Sequence, residues 1–156
     1  MTILRRALVG FVAGALATVP MTGEFLLARR AGFLDEVPPH KAIRSVTESL
    51  PEPRLTVTSG LAHLGVGAAA GAAYAAVLPT RLQGPLTGIA AGLVVWLIGY
   101  EAVMPAATNI EPAHRDRRDR ASTILVAHVI FGLGLGLLSR RIAQSAVAVT
   151  RSSAGR

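Results

Sequence analysis

The sequence predicts an all-α polytopic membrane protein, four transmembrane helices in a bundle of two repeated two-helix halves. Three observations carry that prediction. Half of the 156 residues are hydrophobic (51%), and alanine and glycine dominate the apolar set, with a mean hydropathy of +0.49. The excess is confined to four windows, 7–28, 55–79, 82–106 and 121–139, each meeting the roughly 17 to 25 residues that cross a hydrocarbon core of about 30 Å. Finally, one pattern occurs twice: Ala62-His63 followed by Gly67 and Gly71, and Ala127-His128 followed by Gly132 and Gly136. Lipid offers the backbone no hydrogen bonds, so apolar windows of this length are helices. All 156 residues belong to a single membrane domain.

The first span carries Gly10 and Gly14, then Thr18, Pro20, Thr22 and Glu24, and stops at Arg29-Arg30. Pro20 cannot donate to the preceding turn, which predicts a kink near Val19 with Thr18 or Thr22 satisfying the freed carbonyl. Arg5 and Arg6 ahead of an apolar run also resemble a signal peptide. The run continues past Ala17 to Ala28, which favours a retained helix. The connection that follows contains Pro38-Pro39 and Pro51-Glu52-Pro53. Between them Ile43, Val46 and Leu50 recur at helical spacing, predicting a short interfacial helix over about 40–50.

The second span holds the first copy of the pattern, with Tyr74 on the face of His63, and ends at Pro79. Only a tight turn fits in 80–84, so the second and third spans form an antiparallel hairpin. The third span carries Gly88, Gly92, Trp96, Tyr100 and Glu101; the two aromatics near its end read as belt residues. The next connection ends in alternating charge, Arg115 to Arg120, a solvated helix start with local ion pairs. Its functional alternative is an anionic lipid docked on Arg115, Arg117, Arg118 and Arg120. The fourth span holds the second copy, and from Ile142 the pattern weakens and the helix frays.

A net charge of +7 and a pI near 11.4 raise the question of nucleic acid. The basic residues flank the apolar windows as headgroup anchors, however, and no nucleic-acid motif occurs. There is no cysteine, which excludes disulfides and thiolate ligands. Ser59 and Thr123 lie near histidines without an elbow or an acid to complete a triad, so no catalytic residue is assigned and the chain is read as a non-enzyme.

Overlaying the halves extends the repeat, since Gly10 and Gly14 then Glu24 match Gly88 and Gly92 then Glu101. Two spans per half imply a pseudo-twofold axis along the membrane normal. Counting along the helices puts Glu24, His63, Glu101 and His128 roughly 6 to 12 Å deep in one leaflet. The glycine pairs Gly10/Gly14, Gly67/Gly71, Gly88/Gly92 and Gly132/Gly136 fall toward the other, where they let backbones approach closely. The expectation is a bundle cinched by glycine in one leaflet and lined in the other by a Glu/His ring, with Glu24 facing His63 and Glu101 facing His128, or the crossed pairs. Buried groups of this kind either fix packing or share a proton. No cofactor is required; the alternatives are a divalent metal on His63, His128, Glu24 and Glu101, or a haem b between the two histidines. A competing class is an accessory or assembly subunit whose glycine faces recruit partner helices or a second copy of the chain.

His63, Gly71, Tyr74 and Pro79, then Gly88, Gly92, Pro105 and Pro112, and an Ala-His-x3-Gly helix ending in Arg140-Arg141 resemble the YagU-like family of small bacterial inner-membrane proteins. Glu24 followed by Val37-Pro38-Pro39 adds to the resemblance. It implies a multi-pass protein of the bacterial cytoplasmic membrane and transfers no catalytic residue. Charge divides almost evenly between the two sides. Cytoplasmic termini therefore rest on the resemblance.

Overall fold

The computed structural model describes residues 1–47 and 50–154, and among them there is helix and no strand. Four helical segments are long and apolar enough to cross a membrane, which makes this a multi-pass membrane protein. They are α1 (Ile3–Arg30), α3 (Glu52–Val77), the composite α4 (Pro85–Ile98) with α5 (Met104–Ala107), and α6 (Arg118–Ala154). The short α2 (Pro38–Val46) lies between α1 and α3.

Glycine sets the two tightest seams, α1 against α3 and α4 against α6. A Cβ on Gly10 would collide with the carbonyl oxygen of Gly71, and one on Gly14 with that of Gly67. On the other side Gly88 faces the carbonyl of Gly132, Gly92 that of His128, and Gly136 that of Gly84. Backbone here rests on backbone, a distance no larger residue permits. Arg6 spans the first seam and donates to Ala76 O at 3.0 Å. It thereby serves a terminal carbonyl of α3, where sequence reading gave it a headgroup.

A third seam joins α1 to α6. Ala13, Ala17 and Ala127 are fully buried, and a Cβ on Gly134 would come 3.3 Å from that of Ala17. Because Gly134 lies between Gly132 and Gly136, α6 is slender on two faces and packs α4 with one and α1 with the other. The corresponding residue of α3, Ala69, is exposed. The helices therefore run α3, α1, α6, α4 around the bundle, and α3 scarcely meets α4. A twofold axis along the membrane normal would carry the α1–α6 seam onto an equal α3–α4 seam. The expected hairpin packing of the second and third spans is corrected, and the pseudo-twofold relation is not carried through to this pair: α3 and α4 share a turn but splay apart. Tyr74 holds the turn instead, its hydroxyl 2.9 Å from Thr87 Oγ1 and 3.2 Å from Gly84 N.

Other boundaries shift for local reasons. Pro38 and Pro39 occupy the first turn of α2, and Pro53 that of α3, where a missing N–H costs nothing; both helices start earlier than expected. α2 ends at Val46, and 48–49 of its expected extent lie outside the described residues. α1 runs helical through Pro20, and Thr18 and Thr22 donate to Gly14 O and Thr18 O, both at 2.9 Å. Neither serves the carbonyl of Leu16, the one Pro20 leaves free. The third span is interrupted by a π-helical turn, Gly99–Val103. Pro105 cannot donate to Glu101 O, and the wider turn takes up the broken register. Finally, α6 does not fray at Ile142 but continues to Ala154, with Ala143 still buried past the expected end of the span.

The lipid-facing surface is apolar, with Leu4, Leu8, Val57, Leu61, Leu86 and Val94 exposed. Phe25, Leu55, Phe131 and Leu135 form the interior.

Candidate functional site

The missing α3–α4 seam leaves a cavity of about 350 Å³. Its walls come from every main helix: Thr18, Met21 and Phe25 of α1, Ser59, Ala62 and His63 of α3, Val95 of α4, and Ile124, His128 and Phe131 of α6. Pro38, Pro39, Ala42 and Ile43 of α2 close the end toward the long connections. No helix crosses the side between α3 and α4.

His63 and His128 are the ionisable groups deep in this wall, and their hydrogen bonds fix their tautomers. His63 Nδ1 lies 3.2 Å from Thr22 Oγ1. That hydroxyl already donates its proton to Thr18 O, so it can only accept, and Nδ1 must carry the hydrogen. His128 Nδ1 lies 2.8 Å from the carbonyl of Ile124, which also only accepts. In both neutral rings Nδ1–H donates to the protein, and Nε2 keeps its lone pair without a partner. Phe25 flanks the His63 ring with centroids 5.9 Å apart. The Ser59 hydroxyl, fully buried on the same wall, has no partner either.

At the loop end Arg120 lines the cavity, its side chain 9% exposed, with Nε 3.3 Å from Asp116 Oδ2. Tyr100 donates its hydroxyl proton to the same carboxylate oxygen. Tyr100 is thus turned inward and is not a belt residue; Trp96 meets it edge-on at 6.2 Å. This cluster also narrows the expected anionic-lipid patch. Arg120 is buried and paired, and Arg117 binds Asp119 at 2.6 Å and Asp35 at 3.7 Å, which raises its pKa. Arg115 and Arg118 are left exposed.

The two glutamates do not join the histidines. Thr18, Met21 and Phe25 line the cavity from α1, and Glu24 does not. It lies in a separate groove with Ala28 of α1 and Ser122, Thr123 and Val126 of α6, where Oε2 is buried without a partner. Glu101, swung by the π-helical turn, binds His114 in the second connection, with Oε2 2.6 Å from Nδ1 and Oε1 3.1 Å from the backbone N. The expected ring of four is corrected to a pair of imidazoles, with each carboxylate employed elsewhere. No cluster of three or more His, Asp or Glu side chains suited to a metal occurs among the described residues, which removes the expected four-residue metal site. Thr22 and Asp116 were not singled out as site residues by the sequence, and Arg120 was assigned to a lipid patch and not to the cavity; the signal for Thr22 was its place one turn before the buried Phe25 and one turn after Thr18.

Residues 4–149 match the model of a family of unknown function, DUF6789. The chain belongs to the DUF6789 family. No curated protein and no solved structure matches it. What this DUF6789 protein offers chemically is an apolar enclosure with two nitrogen lone pairs inside it. At about 300 Å³ and upward a cavity is large enough for a small organic molecule. Imidazole Nε2 accepts a hydrogen bond or coordinates a metal, and it loses both abilities on protonation.

Proposed function

We propose that this DUF6789 protein is a non-catalytic binding protein that holds a membrane-soluble, largely apolar small molecule in the cavity between α3 and α4. The observation that supports this reading is the pair of unpartnered Nε2 atoms, His63 and His128, on the wall of one apolar cavity. Two acceptors bordering the same apolar space, neither bonded to the protein among the described residues, favour an occupant that uses both. Proton-responsiveness, expected of a four-membered ring, passes to the two imidazoles alone. Protonating either ring converts an acceptor into a donor, and occupancy falls as the pH is lowered.

The accessory-subunit alternative loses its main support, since the glycines that would recruit partner helices are spent on seams within the chain. The resemblance to the YagU-like family supports a place in the bacterial cytoplasmic membrane with both termini cytoplasmic. The matched glycine seams of α1–α3 and α4–α6 support descent from a duplicated two-helix unit.

The test is native mass spectrometry of the protein released from mild detergent. The wild type is expected to retain a lipid-soluble adduct of reproducible mass, and His63→Leu with His128→Leu to lose it. An adduct retained undiminished by the folded double variant, or none in the wild type, would refute the reading.

A further inference from the structure

Resting on that reading of the cavity, we propose that its occupant is a haem, ligated through both His63 and His128. A hydroxyl or amide of an ordinary lipid satisfies one lone pair; a single Lewis-acidic centre takes two. A bare divalent ion in protein takes four or more ligands, and no third His, Asp or Glu stands with this pair among the described residues. Glu24 and Glu101, the nearest alternatives in depth, are held in the separate groove and in the bond to His114. Haem iron brings four nitrogens of its own and asks the protein for two axial ligands.

Placement agrees with that demand. α3 and α6 enter the membrane from the same side, and His63 and His128 each lie about 15 Å along their helices from Glu52 and Arg118. Both line the one cavity, from helices that barely touch each other. The two imidazoles thus stand at one level on separate walls of it. The outer nitrogen of each ring is already anchored, to Thr22 Oγ1 and to Ile124 O, the support that orients metal-bound histidines and fixes Nε2 as the ligating atom. Phe25 and Phe131 give the interior aromatic faces, and the side left open between α3 and α4 admits a macrocycle wider than the enclosed volume.

Hemin titration of the purified protein in mild detergent provides the test, followed by absorption spectra of the oxidised and reduced states. The expected result is about one equivalent bound, with the sharp Soret and α bands of a low-spin, bis-imidazole iron. His63→Ala and His128→Ala should each abolish the low-spin spectrum, and added free imidazole should restore it. That rescue separates lost ligation from lost folding. His114→Ala, outside the cavity, should leave the spectrum unchanged. Thr22→Val should weaken hemin retention by about tenfold, as loss of a histidine's supporting bond does at other metal sites. A wild type that acquires no low-spin spectrum, or one whose spectrum survives both histidine variants, overturns the haem assignment. If the protein then still retains a lipid-soluble adduct that the histidine variants lose, the cavity reading stands with a different occupant. If no adduct is retained either, both fail.

Discussion

Asp116 illustrates how much a single side chain carries. It receives the Tyr100 proton and pairs with Arg120, and both acid and base are nearly buried, with 12% and 9% of their side chains exposed. Removing one member strands the other in a poor solvent, which costs about 3–5 kcal/mol at buried pairs. Asp116→Ala should therefore lower the thermal midpoint in detergent sharply. Asp119→Ala, which removes an exposed partner of Arg117, should barely move it. Equal effects would show that the Arg120 pair is solvated. At this scale the sequence disclosed depth but not azimuth. Glu24 was placed at the histidines' level by counting residues, and it lies within a turn of Thr22, the partner of His63; only the neighbours of α1 decide that Met21 and Phe25, and not Glu24, line the cavity. Asp116 was hidden for another reason, since a run of alternating charge reads the same whether its members are paired inward or solvated.

Among the elements, the glycine seams give the sharpest expectation. A methyl group on Gly88 has only the carbonyl of Gly132 and the backbone of Gly136 to occupy, whereas one on Gly65 meets nothing within 4 Å. Gly88→Ala should destabilise by about 1–3 kcal/mol, the ordinary penalty for overfilling a packed site. Gly65→Ala is the matched control and should be neutral in the same melting or denaturant series. Glycine spacing was readable in advance because contact at four-residue intervals follows from helix geometry alone. Two element features were not. Pro105 announced a disturbance, but whether a helix answers proline with a kink, a break or a wider turn depends on what its next turn can bind, here His114 and Asp116. Arg140 and Arg141 mark where hydrocarbon ends, and a helix is free to outlast the membrane, as α6 does.

For the whole molecule, four spans put both termini on one side and the two long connections on the other. The absence of native cysteine makes this directly measurable. Thr2→Cys and Ser145→Cys should react with a membrane-impermeant maleimide from the same face of sealed vesicles, and Asn109→Cys only from the opposite one. Labelling of all three from one face would break the four-span topology. The count of spans was legible because hydropathy depends on composition. The order of helices around the bundle was not. The repeat implied a pseudo-twofold axis, and Gly134 opposite Ala17 lets α1 and α6 close together while Ala69 is exposed on α3.

That unclosed seam determines which molecules ever compete for the cavity. A guest arriving between α3 and α4 does so by lateral diffusion within the bilayer, so its effective supply is its mole fraction among lipids, not its aqueous concentration. On the proposed binding function, compounds would be screened first by partitioning and only then by the two imidazoles, and apparent affinity would vary with the detergent-to-lipid ratio of the assay.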